Sequence, residues 1–414
     1  MGVYGGGAAG GRGNSGRRSV LAGFAATGLF VTGLSVSFVG ASLPARAELP
    51  AFPKEPVTIN VIDVAGNLAL TQKAIENYRK ANPTRVSRFT FTKAPAPELA
   101  GKIKAQQNAG RVDIDLVLTG TDGLAAGIEQ GLWTPLLPNY AEKFPNLEAN
   151  YLPAAAKMQG LAGNQGVVVT YYPSGPLLEY APERVKTPPK TPDELLAWCK
   201  ANPGKFMYAR PANSGPGRTF LMGLPYLLGD KDPKDPVNGW EKTWAYLKDL
   251  NSCIEYYPSG TTATMKELGE GSRDMVATTT GWDINPRVLG TVPKEAKVAA
   301  LNGFHWVADA HYMVVPKGLP PEKLAVVLDL MAFMLKPEQQ AYAYDEGYFY
   351  PGPAVKDVTL AMAPSDSQEA IKEFGRPEYD KLIADNPIEL PLDAKGLVDA
   401  FRLWDERIGA AKTK

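Results

Sequence analysis

Val57-Thr58-Ile59-Asn60-Val61-Ile62-Asp63-Val64-Ala65-Gly66-Asn67 decides the fold: a short run rich in β-branched residues empties into a polar turn bearing a glycine. The segment after the turn has helical period, with Ala74, Ile75, Tyr78 and Ala81 on one stripe and Asn82-Pro83 as a stop. The same unit of strand, polar loop and helix recurs three times. Residues 113–118 read as a strand, Thr119-Gly120-Thr121-Asp122 as a loop, and 123–130 as a short helix N-capped by Asp122 and closed by Gly131. Residues 205–209 lead through Asn213-Ser214-Gly215-Pro216-Gly217 into a helix over 218–228, ended by Gly229. Residues 274–279 lead through Thr280-Gly281-Trp282-Asp283 into a helix from 284. Strands separated by helices predict an α/β fold of mostly parallel sheets with helices on both faces. Open sheets of this kind bind ligands beyond the carboxyl ends of their strands, so these four loops are the expected site.

Two strands break the rhythm. Residues 166–172 and 306–315 each fall between blocks of units, as strands crossing between two lobes would. The tail is helical over 323–335, 339–345 and 396–408, with a rigid aromatic loop at Gly347-Tyr348-Phe349-Tyr350-Pro351-Gly352-Pro353. The expected division is one lobe of residues 52–170 with 310–345 and a second of 171–309 with 346–414.

Ahead of the first strand, Arg17-Arg18-Ser19-Val20-Leu21 resembles a twin-arginine export signal. A weakly apolar stretch comes next and ends in Ala45-Arg46-Ala47, the small-x-small pattern of a cleavage site, so residues 1–47 are read as a leader and the periplasm as the destination. Gly5-Gly6-Gly7-Ala8-Ala9-Gly10 fits G-x-G-x-x-G by letter but has neither the preceding strand nor the following helix of a dinucleotide fingerprint. Four of the 44 basic residues and none of the 44 acidic ones lie in the leader, which leaves a mature chain four charges negative. That balance argues against nucleic acid, whose phosphates demand a basic surface.

Catalytic groupings are scarce. The two histidines, His305 and His311, form no H-E-x-x-H pair, and no G-x-S-x-G or P-loop occurs, so neither an enzyme nor a cofactor is expected. Cys199 and Cys253 cannot build a thiolate metal cage; they are either one bridge on a common sheet rim, with Cys253 opening a strand, or two separate thiols. Asp309 beside Trp306 and Asp283 beside Trp282 offer carboxylates and indole faces suited to an ammonium group. Asn213, Ser214, Arg218 and Thr219 at a helix start suit an anion instead, and the two features together suit a zwitterion. Tyr171-Tyr172 raises ferric ion as a further alternative, though strand neighbours face opposite ways.

This layout resembles the periplasmic solute-binding proteins of ABC importers, nearest to their polyamine-binding branch. Asp115-Leu116-Val117 with Thr121 is similar to that family's second strand and ligand loop, residues 304–316 to its second crossover, and 347–353 to its third hinge loop. The resemblance implies a two-lobe hinged fold that closes over an organic amine or polyamine and hands it, as a monomer, to a membrane permease and its ATPase. It implies ligand contacts at Asn67 and Thr121, a stacking indole at Trp306 and an amine-binding carboxylate at Asp309. The chain departs from the pattern: it has Trp306-x-x-Asp309 where the family has Trp-x-Asp, and its loop indole is Trp282, where the family's would fall near Thr279. The alternatives are an anionic or zwitterionic solute such as a phosphonate, phosphate ester or amino-acid derivative, ferric ion, and a hydrolase or lyase on the same scaffold. The candidate ligand-binding residues are Asn67, Thr119, Thr121, Asp122, Tyr171, Asn213, Ser214, Arg218, Thr280, Trp282, Asp283, Trp306, Asp309 and Tyr348.

Overall fold

The computed structural model describes residues 47–412. The twin-arginine motif, the apolar stretch and the glycine-rich segment of the leader lie outside the described residues. Among those residues no helix is long and apolar enough to cross a membrane.

The first lobe opens with β1 (Val57–Asp63), α1 (Leu68–Ala81), β2 (Val86–Lys93), α2 (Ala96–Asn108), β3 (Leu116–Thr119) and α3 (Thr121–Glu129). Asp63 builds the first turn, since its carboxylate accepts from the backbone amides of Ala65, Asn67 and Leu68 and so supplies the orphan N–H groups at the start of α1. Of the predicted stripe of α1, Ala74, Ile75 and Tyr78 are buried, joined by Leu68, Leu70 and Thr71, while Ala81 at the helix end is exposed. Helices α4 (Leu147–Asn150) and α5 (Pro153–Gly160) then feed β4 (Gly166–Gly175), the first crossing strand.

The second lobe holds β5 (Leu177–Tyr180), α6 (Pro192–Ala201), β6 (Phe206–Met207), α7 (Gly215–Leu228), α8 (Glu241–Leu250), α9 (Thr261–Gly269), β7 (Met275–Thr278), α10 (Asn285–Val288) and β8 (Lys297–Ala299). The chain returns along β9 (Trp306–Val314) to α11 (Pro321–Met334), α12 (Pro337–Gln340) and β10 (Gly352–Pro353), and ends with α13 (Ser365–Phe374), α14 (Glu378–Asp385), β11 (Ile388–Glu389) and α15 (Ala394–Arg407).

The two-lobe α/β architecture is as read from the sequence, but the sheets are mixed rather than mostly parallel. In the seven-stranded sheet, ordered β10-β4-β9-β3-β1-β2 with β11 on β9, β1 runs parallel to β2 and β3, while β3–β9, β4–β9 and β4–β10 are antiparallel. The second sheet, β6-β7-β5-β8, keeps only β6–β7 parallel. The cause is the crossings: β9 reaches the first sheet, and β5 the second, from the other lobe rather than through a helix on the same face, so each enters against the local strand direction. Each lobe has its own apolar core, one around Ile59, Val117, Tyr312 and Leu328, the other around Phe206, Phe220, Leu250 and Trp404. On β9 the core changes between Val307, in the second, and Ala308, in the first. Residues beyond 345, expected in the second lobe, also visit the first: β10 pairs with β4, and Ala354 and Val355 are buried in the first core.

Two local expectations change. Cys253 sits in the turn after α8 rather than opening a strand, and it is bridged to Cys199 of α6, their Cα atoms 5.8 Å apart. Asp122 is not the N-cap of α3: that position is Gly120, and the Asp122 carboxylate instead lies inside the first turn and accepts from Gly123 N–H. Ser214, in the third of the polar loops, does cap a helix: its Oγ accepts from Gly217 N–H at the start of α7.

Candidate functional site

A cavity of about 430 Å³ lies where the lobes meet. The first lobe contributes the turn after β1 (Val64, Ala65), the start of α2 and Asp122 of α3; the second contributes the starts of α7 and α9 and the half-buried Trp282. Tyr172 of β4 and His311 of β9 form its floor, and Tyr348 and Phe349 close one side. Hollows of about 510 and 680 Å³ occur elsewhere, one over α4 and α11 and one along α13, but neither joins both lobes.

Beneath the cavity is a buried charge cluster. β4 and β9 pair with Tyr172 opposite Asp309, so the phenol hydroxyl donates to Asp309 Oδ2 at 2.9 Å. Thr121 Oγ donates to Oδ1 at 2.6 Å, Ala310 N–H to the same oxygen at 2.9 Å, and the Arg218 guanidinium to Oδ2. Arg218 also reaches across the lobes to Asp122 Oδ2 at 3.1 Å. Burial works to raise the Asp309 carboxyl, but the Arg218 guanidinium and the Thr121 hydroxyl hold it below its usual value. Burial likewise opposes the charge on Arg218, and Asp309 and Asp122 more than restore it. His311, buried and 2.8 Å from Asn67 Nδ2 through its Nδ1, is pushed down to about 4 by burial and by Arg218 against the pull of Asp309, so its ring is neutral at pH 7.

The sequence candidates separate by position. Asp122, Asn213, Ser214, Arg218, Trp282 and Tyr348 line the cavity. Asn67, Thr121 and Asp309 stand behind it, bonded to His311, Asp309 and Arg218 respectively. Five do not reach it. Thr119 is buried on β3 with its hydroxyl on Gly120 O. Tyr171 belongs to the first apolar core, because it faces away from Tyr172; with Tyr172 held on Asp309, the two phenols do not converge on one ion. Thr280 is buried where its N–H donates to Ser174 O, joining the loop after β7 to β4. Asp283 turns into the second lobe, where its Oδ2 accepts from Arg376 Nε at 2.8 Å. Trp306 is edge-on to Phe304 and donates through Nε1 to Leu382 O, for it stands three positions before Asp309 and an odd spacing sends the two to opposite strand faces.

The structure adds residues outside the candidate set: His311, Phe349, Thr261 and Thr262 at the start of α9, and Tyr172, which the sequence offers only as half of a ferric-ion pair. A signal existed for the first, since His311 lies two positions from Asp309 on the same face of β9. Trp282 is held over the cavity by Gly281, whose φ of +97° brings the loop so near the tail that a Cβ there would meet Tyr348 O at 2.4 Å. The Trp282 and Tyr348 rings meet edge to face at 5.2 Å.

A family model described as bacterial extracellular solute-binding protein matches residues 73–373. No curated protein sequence matches. Among solved structures, an ABC transporter protein of Clostridium perfringens superposes with a TM-score of 0.61 at 13% identity, covering 86% of this chain and 100% of that one. The ferric ion-binding protein A of Pasteurella haemolytica, in its apo form, gives 0.56 at 16%, covering 84% and 97%. The spermidine/putrescine ABC transporter substrate-binding protein of Streptococcus pneumoniae gives 0.54 at 15%, covering 84% and 99%.

Proposed function

The chain belongs to the bacterial extracellular solute-binding proteins, and from that premise we propose that it is the capture component of an ABC importer, closing over a small solute that carries a protonated amine, alone or as the cationic end of a zwitterion. The observation that carries this reading is the charge of the cleft: two carboxylates, Asp309 and Asp122, share one guanidinium, Arg218, above a neutral histidine. A buried group of charges one cation short of neutrality draws a cation. The amine-binding carboxylate is then Asp122, which borders the cavity, and not Asp309, whose oxygens already hold Thr121, Tyr172, Ala310 and Arg218. Trp282 and Tyr348 supply aromatic faces for the ammonium.

The zwitterionic form has its own support. Helix α9 begins at Thr261 behind Gly260 with no side-chain cap, so its first amides, at the cavity wall, suit a carboxylate or phosphonate. Delivery to a permease and its ATPase, work in the periplasm and removal of the leader near Ala47 are the corollaries of the family together with the export motif. A thermal-shift series on protein freed of bound solute tests the reading, because a ligand at 100 times its dissociation constant adds about 2.7 kcal/mol. Amines and amino acids should stabilise the protein while simple anions and ferric ion do not. Stabilisation by anions alone rejects it, and turnover of the bound solute would make the protein an enzyme instead.

A further inference from the structure

We infer that the cleft is built for a solute with one cationic centre rather than two, because Arg218 is a resident cation occupying the place a second ammonium would take. The inference rests on the amine reading above and narrows it. Among the lining residues only Asp122 and Arg218 carry charge, His311 being neutral. The neighbouring carboxylate, Asp63, is satisfied by the amides of Ala65, Asn67 and Leu68. Asp309 is sealed, its side chain 2% exposed, and one of its partners is Arg218 itself. What remains is a single negative charge, shared out to Asp122, whose side chain is 14% exposed and faces the cavity. One ammonium completes the set. A second brings an uncompensated positive charge against Arg218, and like charges a few ångströms apart repel.

The test is a matched pair of ligands: putrescine, with two ammonium groups, and N-acetylputrescine, which has the same carbon chain and only one. Titration calorimetry on the exported chain at pH 7 should show the acetylated form binding about tenfold or more tighter. Arg218→Gln should shrink or reverse that ratio, and Arg218→Lys should preserve it. The bulk of the acetyl group enters every ratio alike, so the change between variants reads the charge at 218. If the wild-type protein binds putrescine as tightly as its acetylated form, or if the ratio is the same in Arg218→Gln, the inference is overturned while the amine reading stands. Absence of binding by either compound at millimolar concentration rejects the amine reading and the inference with it. Should Arg218→Gln fail to fold, the wild-type ratio and its retention in Arg218→Lys decide.

Discussion

Two groups of buried charges stand on either side of the loop after β7, and they are built differently. On the cleft side Asp122 and Asp309 share Arg218. Inside the second lobe, Glu179 of β5 and Asp283 face Arg287 of α10 and Arg376 from the segment between α13 and α14. Both guanidinia there are pinned further by carbonyls, Arg287 on Asp283 and Phe374, Arg376 on Ala296. Burial and the nearby Asp283 raise the Glu179 carboxyl well above its usual range against the pull of Arg376 and Arg287, so the inner group holds at least as many cations as anions. The cleft group holds fewer. The inner cluster is completed by the chain; on the reading proposed above, the cleft cluster is completed by a guest. The missing charge, and not cavity size or burial, distinguishes the two.

The largest expected effect falls on the inner group. Arg376→Ala removes one partner of a buried pair and should cost about 3–5 kcal/mol of stability by denaturant unfolding, with solute affinity in the surviving folded protein unchanged. Weakened binding without lost stability would erase the contrast. Next is acidification. The His311 pKa is depressed to about 4 from an unfolded value near 6.5, so its stabilising contribution is intact above that value and disappears as pH falls from about 6.5 to about 4, a loss of about 3 kcal/mol. His311→Gln should flatten stability over that window; a wild-type profile already flat there would show the ring to be charged in the folded state. Asp122→Asn should weaken an amine by about tenfold to a hundredfold in calorimetry, since a hydrogen bond to a charged group contributes about 1.5–3 kcal/mol, while leaving the unfolding midpoint nearly in place. A large stability loss from that change would put Asp122 with the inner group. The smallest effect is Trp282→Leu, about 0.5–2 kcal/mol of cation-π attraction, visible as a faster dissociation rate for amines and as no change for a neutral analogue of similar size.

Much of the fold was legible because it is local. The turn at Asp63 and the stripe of α1 are written within twenty residues, and the αL stop at Gly229 is a single-residue signal. The mixed sheets were not legible, since the direction in which β9 enters the first sheet and β5 the second depends on where the other lobe stands. In the site, loops were easier than faces. Asn213, Ser214, Arg218 and Trp282, which belong to polar loops after strands or to the helix start beyond one, line the cavity, whereas the stacking role that the resemblance implies for Trp306 conflicts with alternation along β9. The pairing of Asp309 with Arg218, ninety-one residues apart in sequence, is a tertiary fact. Nothing near either residue announces that a carboxylate suited to an amine has already been taken.

The C-terminal helix gives the molecule a mechanical property of its own. α15 lies against α3 of the first lobe, and Ala125 of α3 is buried with Leu397, Ala400 and Trp404 of α15. Any separation of the lobes would have to peel that apolar seam from behind the same helix that carries Thr121 and Asp122, so the seam opposes opening. A bulkier side chain at 125 would have no room between α3 and α15 and would push the two apart at a point remote from the cavity.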